Sequence, residues 1–165
     1  MAKDELVFLP LGGSGEIGMN MNLYGFGPPN ARKWIMIDCG VTFGDLSTPG
    51  VELICPDPTF ILEERENLLG LILTHGHEDH IGAVGLLAPD FKCPVYATAF
   101  TAKLVESKLE ERGVTLDLTV VDLGSRLKIG PFDLEFVTLT HSIPEPNGII
   151  VRTPLGVVLH TGDWK

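Results

Sequence analysis

His75, His77, Asp79 and His80 fall within six residues, in the stretch LTHGHEDHIG. Histidines alternating along a short loop, followed by a carboxylate and another histidine, bring imidazole nitrogens and carboxylate oxygens to one small volume. That donor set suits a borderline-soft cation such as Zn²⁺, and Mn²⁺ or Fe²⁺ less well. A lone histidine is ordinarily a hydrogen-bonded core residue, but four donors at this spacing point to a metal site. Two more stand far along the chain, His141 in TLTHSIPEP and Asp163 in HTGDWK. Segments delivering His, His, Asp, His, then His, then Asp match the needs of a two-metal centre.

Such donors need rigid elements to aim them. Leu69–Leu73 is a brief, wholly apolar run, which predicts a strand buried on both faces and ending just before His75. Gly76 is expected to let the next loop turn tightly, and a helix is expected from about His80 to Leu87. Phe132–Thr138 reads as a strand leading to His141, and Val157–His160 as one leading to Asp163. His160 lies inside its strand, where a supporting role and a direct one stay equally open. Asp38 ends the run WIMID before Cys39-Gly40. A turn residue is its ordinary reading; an acceptor that orients the histidine loop is the one favoured here. Glu78 reads as solvated rather than as a ligand. Strands are also predicted at Leu6–Leu11, Met21–Phe26, Trp34–Ile37, Val95–Ala97, Thr119–Val121, Arg126–Ile129 and Ile149–Thr153. Helices are predicted at Thr59–Glu66 and at Ala99–Arg112, the latter stopped by Gly113. Gly130-Pro131 and Thr153–Gly156 look like hairpin connections. Mixed strands with a few helices predict a layered α/β (α+β) fold.

The chain has 165 residues, 22 acidic and 12 basic, for a formal net charge of −10. Its length suits one domain, and its 44% hydrophobic content excludes a solvating, disordered chain. The charge argues against a basic, sequence-blind nucleic-acid clamp, because neutralising phosphates takes clustered Lys and Arg. It does not argue against a centre that holds cations. No apolar run approaches the roughly 18 residues that span a bilayer. The start, MAKDELVFLPLGG, lacks the basic and apolar regions of a secretory signal. Cys39, Cys55 and Cys93 are an odd count with no CxxC pair, which suits reduced thiols in a cytoplasmic setting.

Together these motifs resemble the metallo-β-lactamase superfamily, whose hallmark is HxHxDH with a separate His and a separate Asp. The chain is most similar to one branch, the bacterial ribonuclease J enzymes of the β-CASP group. LGGSGEIGMNM, LTHGHEDHIGAV, PVYAT with TAKLVESKLEE, LTHSIPE and HTGDWK follow that family in order and spacing, from Leu9 to Lys165. The resemblance implies an αββα sandwich of mixed β-sheets with flanking helices, with residues 1–165 as its N-terminal part. It implies two divalent ions, Zn²⁺ first and Mn²⁺ as the alternative. It also implies hydrolysis of RNA phosphodiesters by a hydroxide that the two metals activate, in 5′-to-3′ exonuclease or endonuclease mode. His75, His77 and His141 would hold the first ion, Asp79 and His80 the second, and Asp163 would bridge them. Asp79 or Asp163 would steer the remaining proton. Gly12, Gly13, Gly15 and Glu16 would form a turn near the metals, and their glycines equally suit a tight turn with no substrate contact. Ser142, beside His141, is a candidate contact to phosphate.

The chain departs from that pattern by stopping directly after the Asp163 motif. The family's β-CASP insert, the last histidine on its second metal and its C-terminal domain have no counterpart here. A fragment is therefore expected, with weak affinity for the second ion and little or no nuclease activity. RNA is the implied partner, gripped mostly by the missing parts, and no membrane partner is expected. Self-association through an uncovered apolar sheet face is also expected. A secreted β-lactamase is disfavoured by the absent signal and by His80, which those enzymes usually replace. A flavodiiron protein usually has Glu where His77 stands. A glyoxalase II-like thioesterase keeps HxHxDH and stays open, as does a non-catalytic metal-binding module.

Overall fold

The computed structural model describes residues 3–164; Met1, Ala2 and Lys165, the last residue of HTGDWK, lie outside them. The chain opens with three antiparallel strands, β1 (Glu5–Gly12), β2 (Met21–Gly27) and β3 (Lys33–Ile37). A small hairpin follows, β4 (Thr42–Phe43) and β5 (Leu53–Ile54), and then helix α1 (Thr59–Glu63) with a 3₁₀ turn at Arg65–Asn67. Next come β6 (Leu68–Ile72), α2 (Glu78–Ile81), α3 (Val84–Phe91), β7 (Val95–Thr98), α4 (Ala99–Arg112) and β8 (Leu118–Val121). β3, β6, β7 and β8 pair in parallel, which completes a six-stranded sheet in the order β1-β2-β3-β6-β7-β8. The last four strands are β9 (Arg126–Ile129), β10 (Phe132–Thr138), β11 (Asn147–Thr153) and β12 (Gly156–His160). They form an antiparallel sheet in the order β12-β11-β10-β9.

β3 explains the layering. Trp34 and Met36 point to the helices and pack with Ile61, Val84, Phe91 and Val105. Ile35 and Ile37 point the other way and pack with Phe132, Leu134, Phe136 and Val151 of the second sheet. The first sheet is thus covered on both faces, and its central strand β6 (LLGLI) is apolar throughout for that reason. The result is a mixed α/β fold with helices, a mixed sheet and an antiparallel sheet as successive layers. The outer face of the second sheet is the one left uncovered. It is less apolar than expected, because Arg126 pairs with Asp133 and Arg152 with Glu135 across it. Its β12 edge is greasy, with Val157 65% and Leu159 56% exposed. Among the described residues, no helix is long and apolar enough to cross a membrane.

The helix expected from His80 to Leu87 is instead two helices, α2 and α3, broken after Gly82. An unbroken helix would send the Ala83 N–H to the Asp79 carbonyl. That carbonyl already accepts the Asn20 N–H at 2.9 Å, and the Ala83 N–H turns to the Cys39 carbonyl at 3.0 Å. The break lets Asp79 and His80 face the edge of the sandwich where the other donors arrive. β3 leads there to Asp38, β6 to Thr74, β10 to His141 and β12 to Asp163.

Candidate metal centre

Asp38 organises the site from below. It is fully buried and adopts a left-handed backbone (φ 66°), an uncommon conformation for a side chain that is not glycine. Its N–H is held by the Ile72 carbonyl at 2.9 Å. Its carboxylate accepts the Thr74 backbone N–H at 2.8 Å, the Thr74 hydroxyl at 2.9 Å and His80 Nδ1 at 2.7 Å. The adjoining residues are stitched to the histidine loop, with Cys39 N–H on the His80 carbonyl and Val41 N–H on the Glu78 carbonyl. Gly40 is required by this approach, since a Cβ there would lie 1.6 Å from the Asp79 carbonyl oxygen. The Asp38 carboxylate thus joins Thr74 and His80 of the histidine loop.

This network sets the histidine tautomers. The Thr74 hydroxyl donates to Asp38, so it accepts from His75 Nδ1 at 3.0 Å, and His75 Nε2 is left with a lone pair. His75 Nε2 and His141 Nε2 both lie 3.2 Å from His77 Nδ1. One proton cannot satisfy both pairs, and His141 Nδ1 is buried without a partner. Three nitrogens converging in this way fit a cation better than they fit one another. Burial, reinforced by the charge on His80, lowers the His75 pKa to about 4, so its imidazole is neutral and available at pH 7.

A second group adjoins the first. His80 gives Nδ1 to Asp38, and its Nε2 lies 3.4 Å from Asp79 Oδ2 and 3.5 Å from Asp163 Oδ1. The other Asp163 oxygen lies 3.6 Å from His141 Nε2, so this carboxylate faces both groups. Burial alone would lower the His80 pKa. The Asp38 charge and hydrogen bonds with Asp163, Asp38 and Asp79 outweigh it and hold the ring up to about 12. Asp163 is held down to about 2, first by its hydrogen bond with His80 and against its partial burial. Asp79 is lowered for the same leading reason. Without metal, the protonated His80 ring turns Nε2 toward both carboxylates and offsets part of their charge; a divalent ion in place of that proton would offset more. The donors close enough to share an ion are His75, His77 and His141, and His75, His80 and Asp163.

The remaining candidates fall at different distances from this centre. Gly13 lines a cavity of about 180 Å³ together with Ser14, Asn20, His80, His160 and Asp163. Its backbone is left-handed (φ 83°), and a Cβ there would lie 2.2 Å from Asn20 Oδ1. Glu16 is exposed and closes the turn by accepting the Gly13 N–H at 3.2 Å. Ser142 is exposed and does not line the cavity. His160 bonds Tyr24 through Nδ1 at 3.1 Å. Glu78 is paired, its carboxylate meeting Lys108 Nζ at 2.5 Å. Gly76 does not need a left-handed turn. Its smallness makes room for Leu104, whose Cδ1 would lie 2.5 Å from a Cβ at that position. Thr74 and Asn20 also contact these donors, and residue type and spacing do not single them out. Thr74 adjoins His75 in sequence. Asn20, whose Nδ2 lies 3.1 Å from the Asp79 carbonyl and 3.2 Å from His80 Nε2, is 59 and 60 residues away from them.

The sequence model of the metallo-beta-lactamase superfamily matches residues 23–164. Ribonuclease J of Sinorhizobium meliloti is 54% identical over 168 residues, covering 100% of this chain and 30% of that protein. Ribonuclease J of Thermus thermophilus is 36% identical over 172 residues, covering 99% of this chain and 29% of that protein. The chain therefore spans about 30% of the length of these curated relatives. Zn(2+)-bound PqqB from Methylobacterium extorquens superposes with a TM-score of 0.65 at 10% identity, over 92% of this chain and 63% of that one. The metallo-beta-lactamase fold protein YhfI from Bacillus subtilis gives 0.62 at 17% identity, over 98% and 63%.

Proposed function

The chain belongs to the metallo-β-lactamase superfamily, and from that premise we propose that it is the N-terminal part of a metal-dependent ribonuclease of ribonuclease J type. The observation that carries the reading is the similarity to ribonuclease J along the whole chain, which takes in every donor-bearing segment. In this reading residues 1–165 form the first part of a metallo-β-lactamase domain, with the β-CASP insert and the remainder lying beyond it. His75, His77 and His141 would hold one divalent ion, and His80 and Asp79 a second, with Asp163 available to both. The nitrogen-rich donor set favours Zn²⁺, with Mn²⁺ as the alternative. Bound ions supply Lewis-acid activation of water and stabilise charge on the phosphodiester oxygens.

The chain's own residues prepare that chemistry. Asp38 fixes the His80 ring so that Nε2 faces Asp79 and Asp163. Asp79 or Asp163, ionised at neutral pH, would accept a proton from the attacking water and hand it to the 3′-oxygen that leaves when the P–O3′ bond breaks. Attack at phosphorus leaves a 5′-phosphate on the downstream RNA, in exonuclease or endonuclease mode. The centre lies in a cytoplasmic enzyme, which the three free cysteines suit. With His75 given to the first ion, the second would be offered Asp79, His80 and Asp163, and weak affinity for it with little nuclease activity is expected of these residues alone.

The test is a chimaera in which this chain replaces the matching segment of Sinorhizobium meliloti ribonuclease J. Chelator-sensitive decay of 5′-monophosphorylated RNA is expected from the chimaera. A folded, metal-loaded chimaera that is inert on RNA, or that turns over a thioester instead, would overturn the ribonuclease reading. The exposed Val157 and Leu159 lie on the edge strand β12, and there we expect the chain to self-associate. Light scattering should show a mass that rises with concentration; a strict monomer at every concentration would contradict this.

A further inference from the structure

We propose that Glu145 is a positioning residue for His141, tying the His141 loop to the N-terminus of α4 so that the three-histidine group is built before metal arrives. The proposal rests on the metal-centre reading and extends it to a residue four positions beyond the ligand. Glu145 Oε2 accepts the backbone N–H of Phe100 at 2.9 Å, in the first turn of α4. That turn needs an acceptor from elsewhere, because Thr98 at the helix cap makes no side-chain capping bond and the turn holds no acidic residue. A carboxylate also suits the positive end of the helix dipole. To reach it, Glu145 takes a left-handed backbone (φ 54°), a strained geometry for a residue with a side chain.

The loop is closed on both sides of this contact. Leu139 N–H bonds the Pro146 carbonyl at 2.9 Å, and Asn147 Nδ2 bonds the Glu145 carbonyl at 2.7 Å. Asn147 N–H in turn bonds the Thr74 carbonyl at 3.1 Å, directly before His75. The same helix backs the other histidine loop. Leu104 fills the space over Gly76, and Lys108 holds Glu78. Residues 100, 104 and 108 are spaced by four and share one face of α4. One rigid helix therefore fixes the loops on either side of the 3.2 Å contact between His77 and His141. Cutting the Glu145 tether leaves the His141 loop held by its own backbone bonds, by Asn147 and by Ile143 packed beside Gly76.

The test is Co²⁺ titration of this chain, followed by visible absorption, at a temperature where circular dichroism shows each variant folded. Glu145→Ala is expected to weaken the first Co²⁺ by about 10–100-fold, the range seen when partners behind a metal ligand are lost, and to alter the ligand-field bands. Glu145→Gln, which still accepts the Phe100 N–H, should restore affinity and spectrum to within a few-fold. If Glu145→Ala melts earlier but keeps wild-type affinity and spectrum, the residue is merely structural and the proposal is overturned. If Glu145→Ala does not fold, Glu145→Asp decides: its carboxylate is a methylene short, so a loss is expected and wild-type affinity would overturn the proposal. Failure of the unaltered chain to bind Co²⁺ would sink the metal-centre reading itself, a result distinguishable from failure of the Glu145 variants alone.

Discussion

Replacing His77 with alanine is expected to weaken binding of the first divalent ion by more than about 100-fold, beyond the roughly 10–100-fold typical of partners behind the ligands. His77 Nδ1 is the common neighbour of His75 Nε2 and His141 Nε2, each at 3.2 Å, so its removal takes the middle donor from a set of three. The remaining pair cannot complete a tetrahedral shell with protein atoms. The substitution should spare the fold, because His77 is only half-buried and its ring contacts other donors rather than the apolar core. Equilibrium dialysis against Zn²⁺, with circular dichroism as the folding control, reads both effects. Affinity within a few-fold of the unaltered chain would show that the ion sits elsewhere.

Asp38→Ala carries the second large effect, and it reaches both stability and metal binding. The substitution leaves the His80 Nδ1–H and the Thr74 N–H buried and unpaired, in a place with no access to water. Breaking a buried charged pair from one side costs about 3–5 kcal/mol, which denaturant unfolding of the metal-free chain would measure. Asp38→Asn separates shape from charge. Its amide can still accept from Thr74 but turns a donor toward His80 Nδ1, which favours a proton on Nε2, the nitrogen that faces Asp79 and Asp163. A metal-affinity loss of about 10–100-fold in the second group is expected with a smaller loss of stability. Equal metal affinity in Asp38→Asn and the unaltered chain would show that the tautomer of His80 does not matter.

Much of this site could be read before its geometry was known, because the donors cluster in sequence and follow strands of clear periodicity. β9, β10 and α4 have the boundaries that alternation and Gly113 predict. Other strands begin or end one or two residues away, where pairing with a neighbour extends them, as when β11 starts at Asn147 to meet Thr138. What local pattern could not supply were contacts between distant segments. The break between α2 and α3 depends on Asn20 and Cys39 claiming backbone partners from the helix. The same holds for Asn20 beside His80 and for Glu145 at the end of α4, each joined across more than 40 residues. Gly40 and Gly76 carry no local signature of their roles, which come from how closely Asp79 and Leu104 approach. Of the 22 acidic residues behind the charge of −10, Asp38, Asp79 and Asp163 lie within 3.5 Å of His80.

Anomalous X-ray diffraction at the zinc edge, from crystals of the chain grown with Zn²⁺, would show whether these loops form a divalent-metal centre. The expected result is a strong peak among His75 Nε2, His77 Nδ1 and His141 Nε2, with a weaker one beside His80 Nε2, Asp79 and Asp163. No peak at the three histidines, with zinc bound only at surface carboxylates, would contradict it.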